Sequence, residues 1–258
     1  MRGFWKGFIV VIVTSSSLNA EEISGFEYGV QGFELPSATW HIADYQMPNP
    51  LFDTDFSHNN LQVQEGLTLR LKPICGRKNR FLGASIRRQK TSGFGRYEAI
   101  LKPAKGVGVV TGFFLYTGAA YGTQHDEIDI EFLGKDLTVL NLGWFKDGVL
   151  TQHQIPLNFN ASTGFHSYAF EWRHNRISWF VDGRLVFDVL SENGQVPTTS
   201  GRLFANIWAV SDKLKDWAGH ASLDTSATAS FRRMKFTPLS QLKNDKKEED
   251  YLFNTGGT

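Results

Sequence analysis

Apolar and polar residues alternate along much of the chain, and the alternation is strictest in one acidic segment. From Glu127 to Phe132 every second residue is a carboxylate and the residues between are apolar. A period of two is typical of a β-strand, because successive side chains of a strand point to opposite faces. The pattern predicts a strand with Glu127, Asp129 and Glu131 on one face and an apolar face toward a core.

Further strands are predicted at the short intervals typical of antiparallel sheets. Residues 61–71 read as a hairpin around Gln64 to Gly66, and Asp182-Gly183 favours a type I′ turn. The other predicted strands are 84–90, 96–102, 107–116, 137–145, 166–173, 176–182, 203–210 and 227–237. Helical periodicity is scarce, with one turn at most over 214–218. The chain is therefore expected to be all-β, an antiparallel sandwich or jelly roll.

The three carboxylates are the candidate catalytic group. Neighbours on one strand face lie about 6–7 Å apart and repel each other, at a cost of roughly 1 kcal/mol per close pair. A solvated edge strand would tolerate this, but the surrounding residues are aromatic rather than basic: Phe113, Phe114, Tyr116, Tyr121 and Trp144. On a bent strand the carboxyls of Glu127 and Glu131 can approach to about 5–6 Å, the separation found in retaining glycosidases. Asp129 between them is placed to share a proton and separate their pKa values.

Composition narrows the possible partners. The formal net charge is +1 and no basic stripe stands out, which argues against a nucleic-acid ligand. Aromatic residues make up 14% of the chain, which favours a β-rich fold with stacking surfaces. The single cysteine, Cys75, excludes an intrachain disulfide and is expected to be partly buried and structural.

The two ends of the chain differ from its middle. Residues 1–20 read as a secretory signal peptide, with Arg2 and Lys6 before a short apolar run and small residues up to Ala20. That run is too short to span a bilayer, so no membrane association is expected after cleavage. Residues 21–238 are predicted to form one catalytic β-sandwich. Residues 239–258 form a charged tail that is expected to be disordered or loosely packed.

Several ordered blocks of sequence resemble glycoside hydrolase family 16, above all its licheninase (β-1,3-1,4-glucanase) branch and the related succinoglycan-cleaving endoglycanases. The likeness runs from about Trp40 to Thr237. Besides the acidic motif at 125–134, it rests on Gly-Phe-Gly-Arg-Tyr-Glu (93–98), Phe-His-Ser-Tyr-Ala-Phe-Glu-Trp (165–172), Trp-Phe-Val-Asp-Gly (179–183), Pro-Thr-Thr-Ser-Gly (197–201) and Asn-Ile-Trp (206–208). The acidic motif lacks the extra residue of the agarase, carrageenase and laminarinase branches.

The resemblance implies a concanavalin-like β-sandwich that binds a β-linked polysaccharide on a concave sheet. It implies Glu127 as the nucleophile, Glu131 as the acid/base and Asp129 as the assisting carboxylate of a double displacement. It assigns substrate binding to Arg87, Phe114, Tyr116, His125, Trp144, Asn206 and Trp208. We therefore expect a secreted, monomeric, endo-acting β-glucanase that needs no cofactor.

Three departures from the licheninase pattern bear on the substrate. His125 replaces the tryptophan before the motif, as in xyloglucan-active relatives. Ser85 replaces a substrate-binding carboxylate, and Gly143 replaces an asparagine. The polysaccharide is therefore left open among mixed-linkage glucan, an exopolysaccharide such as succinoglycan, and a xyloglucan-like chain.

Three further departures bear on stability. Thr54 and Gly83 stand where licheninases have their disulfide cysteines. Arg232 stands where many family members have an aspartate that binds a structural Ca²⁺. We therefore expect that the guanidinium occupies this space and that calcium is not required.

Two other functions are compatible with the same architecture. A transglycosylase would pass the sugar to an acceptor instead of water. The cysteine-rich C-terminal extension of plant xyloglucan transglycosylases is absent here, which argues against that reading. A lectin on this fold would bind without cleaving, but such lectins lose the acidic triad, and all three carboxylates are intact.

Overall fold

Sixteen β-strands dominate the part of the chain that the structure describes. The computed structural model describes residues 25–29, 35–191 and 195–242. The strands are β1 (Phe26–Tyr28), β2 (Trp40–Ile42), β3 (Thr54–Phe56), β4 (Leu61–Val63), β5 (Leu67–Pro73), β6 (Phe81–Arg88), β7 (Gly95–Lys102), β8 (Val109–Thr117), β9 (Asp126–Leu133), β10 (Val139–Lys146), β11 (Val149–Pro156), β12 (His166–Arg173), β13 (Arg176–Val181), β14 (Arg184–Leu190), β15 (Arg202–Ala209) and β16 (Ala227–Pro238). Short 3₁₀ turns cover His58–Asn60, Ala119–Tyr121 and Asp212–Leu214, and α1 covers Lys215–Ala218.

The strands form two largely antiparallel sheets. The first sheet has the order β11-β10-β9-β8-β15-β6, and β2 pairs with the outer side of β6. The second has the order β5-β16-β7-β12-β13-β14, with β4 and β1 added at β5 and β16. A short pairing of β5 with β6 joins the two sheets. The acidic segment is β9, which lies inside the first sheet between β8 and β10.

The core lies between the two sheets, and β9 contributes its apolar face to it. Ile128, Ile130 and Phe132 are completely buried. Phe132 meets the ring of Tyr168 on β12 edge-on at 4.7 Å, and the Trp179 indole on β13 donates to the backbone carbonyl of Asp129. These contacts cross from one sheet to the other. The all-β sandwich expected from the alternating pattern is confirmed.

The predicted hairpins are also present. Leu61 pairs with Leu69 across the turn that contains Gly66. Asp147 and Asp182 have positive φ angles of 51° and 48°, and each precedes a glycine in a two-residue turn. This is the backbone conformation that Asp-Gly sequences favour. The main strand not named in advance is β11, whose residues are almost all exposed and show little of the burial alternation that signals a strand.

The positions of the missing disulfide lie next to each other. Thr54 on β3 neighbours Gly83 on β6, because a Cβ added to Gly83 would come within 2.8 Å of the Thr54 methyl group. The Thr54 hydroxyl instead donates to the Ala209 carbonyl and accepts from its amide. These hydrogen bonds to β15 therefore stabilise β3 at this position. Cys75 is exposed, so the expectation that it is partly buried is wrong.

The predicted end segments lie mostly outside the described residues. The signal peptide at 1–20 and residues 243–258 of the predicted tail cannot be compared with the structure, whereas residues 239–242 are helical. Among the described residues, none of the helices has the length and apolar character needed to cross a membrane.

Candidate active site

The three carboxylates lie on the face of the first sheet that points away from the core, which we call the acidic face. Directly opposed residues of an antiparallel pair share a face. The residues opposed to Glu127, Asp129 and Glu131 are Tyr116, Phe114 and Gly112 on β8, and Phe145, Gly143 and Asn141 on β10. Beyond β8, the face continues with Arg202, Phe204, Asn206 and Trp208 of β15. The triad thus lies among aromatic, small and amide-bearing residues.

Two carboxyls of the triad have raised pKa values. Burial, followed by the negative charge of Glu127, raises the pKa of Glu131 from 4.5 to about 8. Burial also raises the pKa of Asp129 well above its ordinary value, and the charges of Glu127 and Glu131 and a hydrogen bond to Glu127 act in the same direction. Burial and the neighbouring carboxylates therefore favour the protonated forms of Glu131 and Asp129.

His125 orients Glu127. Its Nε2 lies 2.6 Å from Glu127 Oε2, and an Nε2–H donates to this carboxylate oxygen. The imidazole stacks on the Phe145 ring, with centroids 4.0 Å apart, and meets the Tyr116 ring edge-on at 5.3 Å. These rings leave the imidazole little freedom to rotate. The predicted binding residue His125 is therefore in direct contact with the triad.

Asp126 anchors the start of β9, a role that the sequence reasoning missed. Its buried carboxylate accepts hydrogen bonds from the backbone amides of Asp147, Thr198 and Thr199, at 2.9–3.0 Å. Burial acts to raise its pKa, but these amides and Lys146 outweigh that effect, so the pKa is lowered. An ionised Asp126 thus joins the β10–β11 turn and the 197–200 segment to the strand that carries the triad.

Two glycines leave room for functional side chains on the acidic face. A Cβ at Gly143 would lie 2.8 Å from Asp129 Oδ2, and a Cβ at Gly112 would lie 2.7 Å from Asn206 Oδ1. Both positions have ordinary strand φ angles, so space and not backbone conformation favours glycine. Gly143, one of the departures from the licheninase pattern, therefore sets where the Asp129 carboxyl can lie.

Most of the predicted binding residues do line the acidic face. Phe114 stacks on Phe204 with centroids 5.0 Å apart and planes at 9°. Asn206 Oδ1 is buried and has no hydrogen-bond partner among the described residues, so it is free to accept from a bound hydroxyl. Trp208 is also on this face, but it is 6% exposed because Phe52 stacks on it at 4.0 Å.

Trp144 is a wrong assignment. It is directly opposed to Ile128 on β9, so it points into the core, away from the acidic face. Its ring packs against Trp179 and Phe187, with centroids 5.6 and 6.4 Å away. A sugar on the acidic face cannot reach it. Trp144 contributes to packing between the sheets, and its neighbour Phe145 is the aromatic residue that faces the triad.

Arg87 lies on the acidic face at a distance from the triad. Across the sheet, Arg87 on β6 is opposed to Phe204 on β15. Phe204 is opposed in turn to Phe114 on β8, and Phe114 to Asp129 on β9. Three strand spacings separate Arg87 from β9, about 14 Å. Residues beside it that the sequence reasoning missed include His41, which is opposed to it on β2, and Arg202 at the start of β15.

Two glutamates on one face of a strand, one of them with a raised pKa, among aromatic rings are typical of a glycoside hydrolase. Comparisons with known proteins agree. Residues 49–227 match the model of "Glycosyl hydrolases family 16". The chain is 37% identical to a beta-glucanase of Paenibacillus macerans over 201 residues, which cover 78% of this chain and 83% of the relative. It is 36% identical to a beta-glucanase of Paenibacillus polymyxa, with coverage of 90% and 97%.

The structure of Bacillus licheniformis beta-glucanase superimposes with a TM-score of 0.76 at 33% identity, covering 83% of this chain and 97% of that one. The chain belongs to glycosyl hydrolase family 16. The resemblance first seen in the acidic motif is confirmed, and the enzyme class follows from it.

Proposed function

We propose that this protein is a secreted, endo-acting, retaining β-glucanase that hydrolyses a β-1,3-1,4-type glucan or a related β-linked exopolysaccharide. The observation that carries the proposal is that Glu131 shares one face of β9 with Glu127, and that burial and then the negative charge of Glu127 raise the pKa of Glu131. The similarity to proteins named beta-glucanases supports the polymer class. Secretion rests on the signal-like sequence of residues 1–20.

In the first step Glu127 attacks the anomeric carbon and Glu131 gives its proton to the departing glycosidic oxygen. The products are a glycosyl ester on Glu127 and a free sugar end. In the second step Glu131, now ionised, takes a proton from water, and the resulting hydroxide displaces Glu127. His125, which donates to Glu127 Oε2, fixes the attacking carboxylate.

A panel of polymers would test this proposal. Mixed-linkage β-glucan, xyloglucan and a bacterial exopolysaccharide would be assayed for new reducing ends, and the products sized by mass spectrometry. Hydrolysis predicts internal cleavage of at least one β-glucan into oligosaccharides with retained configuration. Products longer than the donor would instead indicate transglycosylation, and binding without reducing ends would indicate a lectin.

The raised pKa of Asp129 yields a specific prediction. If Asp129 acts as a neutral hydrogen-bond donor to Glu127, Asp129→Asn keeps a donor and Asp129→Ala does not. We expect kcat to fall by less than about tenfold in Asp129→Asn and by roughly a hundredfold in Asp129→Ala, since a hydrogen bond to a charged group contributes about 1.5–3 kcal/mol. Steady-state kinetics would measure both. Equal losses would show that Asp129 acts through a negative charge.

We propose that calcium is not required for folding. Calcium takes oxygen ligands, several of them carboxylates. Arg232, at the position of the family's calcium-binding aspartate, has its guanidinium 3.9 Å from the centre of the Phe165 ring. A cation at this position does not fit a calcium site. We expect a chelator to leave the melting temperature unchanged in a thermal unfolding scan; a decrease of several degrees would contradict this.

A further inference from the structure

A pocket opens on the acidic face at the side remote from β10 and β11. Its volume is about 190 Å³, several times the roughly 30 Å³ that one water takes up in the liquid. It is lined by His41, Ala43, Tyr45, Ser85, Arg87, Tyr121 and Phe204. Because Arg87 lies about 14 Å across the sheet from β9, a group in this pocket belongs to a different sugar from the one that is attacked.

One guanidinium group, that of Arg87, lines this pocket, and a second, that of Arg202, lies against the ring of the lining residue Tyr121. Arg87 lies 5.8 Å from the centre of the Tyr121 ring, and Arg202 lies 4.0 Å from the same centre. Gln89 holds both of them, because its side-chain oxygen accepts from Arg87 at 3.0 Å and its backbone carbonyl accepts from Arg202 at 3.0 Å. The two cations are therefore fixed near each other by neutral groups.

Neither guanidinium has an acidic partner in the described part of the chain. The remaining contact of Arg87 is with the backbone carbonyl of Arg88 at 3.4 Å. Ser85, the pocket residue that stands where the licheninase pattern has a carboxylate, supplies a hydroxyl and no charge. Burial and then the charge of Arg87 lower the pKa of His41, so the positive field of Arg87 extends into the pocket. An anion from a ligand would offset this charge.

We propose that this pocket binds a carboxylate carried by the polysaccharide, either a uronic acid or an acidic substituent, and that the natural substrate is an acidic β-glucan. The proposal rests on the glycan-cleaving function proposed above and names its substrate class. Arg87 forms the direct contact with the carboxylate. Arg202, which contacts the Tyr121 ring, adds positive charge near the pocket, and Tyr121 is part of the pocket lining.

The test compares mixed-linkage β-glucan with its carboxymethylated derivative. Binding is measured by affinity electrophoresis with the Glu127→Gln protein, so that the polymer is not cleaved. We expect this protein to bind the carboxymethylated polymer about tenfold or more tightly than the neutral one, as a charged hydrogen bond predicts. The preference should weaken in high salt, because salt screens partly exposed charges.

Variants test if the preference for the acidic polymer depends on Arg87. Adding Arg87→Gln to the Glu127→Gln protein should remove the preference for the acidic polymer. Ser85→Glu should do the same by placing a carboxylate beside Arg87. The control is Arg184→Gln, which removes an exposed cation from β14 in the other sheet and should leave the preference intact. Thermal unfolding identifies any variant that does not fold. If Arg87→Gln does not fold, the binding preference of Ser85→Glu tests the proposal instead.

Two results would overturn the proposal: equal binding of both polymers, or a preference that persists in the folded Arg87→Gln or Ser85→Glu protein. Neither would affect the proposed function, which is measured separately as reducing ends released by the wild-type protein. If the wild type cleaves no β-glucan, neutral or acidic, the proposed function fails and the substrate class fails with it.

Discussion

Replacing Glu127 by glutamine is expected to lower the hydrolysis of β-glucan by roughly 10⁴-fold or more, because the amide is a poor nucleophile and no neighbour can replace it. Burial raises the pKa values of Asp129 and Glu131, which favours their protonated and non-nucleophilic forms. The loss should appear in kcat at saturating polymer, since glutamine keeps the size of the side chain and its contact with His125. Residual activity above a few per cent of the wild type would contradict the assignment.

Azide distinguishes a lost nucleophile from a damaged fold. In Glu127→Ala the space left by the carboxylate admits azide, which attacks the anomeric carbon once and gives a glycosyl azide of inverted configuration. In the matched variant Glu131→Ala the ester on Glu127 still forms from an activated aryl glycoside, whose leaving group needs no proton, and azide displaces the ester with overall retention. NMR of the two products therefore assigns both roles. The same configuration from both variants would show that the roles of nucleophile and acid/base are not divided as proposed.

The fold could largely be predicted because each strand carries its own signal. Alternation in β9, and Asp-Gly turns such as Asp182-Gly183, depend only on neighbouring residues. The exposed edge strand β11 has no buried face, so its sequence lacks the burial alternation. The order of the strands in the sheets likewise could not be predicted from local sequence patterns. It depends on which hydrophobic faces meet and on closure between distant segments, as in the pairing of β15 with β6.

The site was predictable to the extent that it lies on one strand. The triad follows from the period of β9 alone. The prediction that Trp144 binds substrate was wrong because the face of a β10 residue depends on the register of β10 against β9. That register places Trp144 opposite Ile128, on the core face. The pair Arg87 and Arg202 escaped notice because their side chains meet around Tyr121 only after β6 and β15 are neighbours. The alternation of charged, aromatic and amide residues along β15 was the available signal.

Replacing Glu131 by glutamine is expected to reduce cleavage of β-glucan by roughly 10²–10⁴-fold, the usual contribution of a general acid. The loss should be much smaller for an activated aryl glycoside, whose leaving group departs without a proton. Comparison of the two substrates on the same enzyme provides the control, because a misfolded protein would lose both activities. Equal losses on both substrates would contradict a role in protonation.

The role of Glu131 as the acid also predicts how activity and stability depend on pH. Glu131 must be protonated to act as the acid, so kcat/KM of the wild type should fall as the pH rises through about 8. Stability should also decrease as the pH rises. Above about pH 4.5 the unfolded chain has lost the Glu131 proton, whereas the folded protein keeps it up to about pH 8, so the stability decreases between these two pH values. Glu131→Gln should remove the alkaline limb and the part of the stability loss that comes from Glu131, while the part that comes from Asp129 remains. If the alkaline limb survives in that variant, the proton must come from Asp129, the other carboxyl with a raised pKa, and Asp129→Asn would then be the more damaging of the two changes.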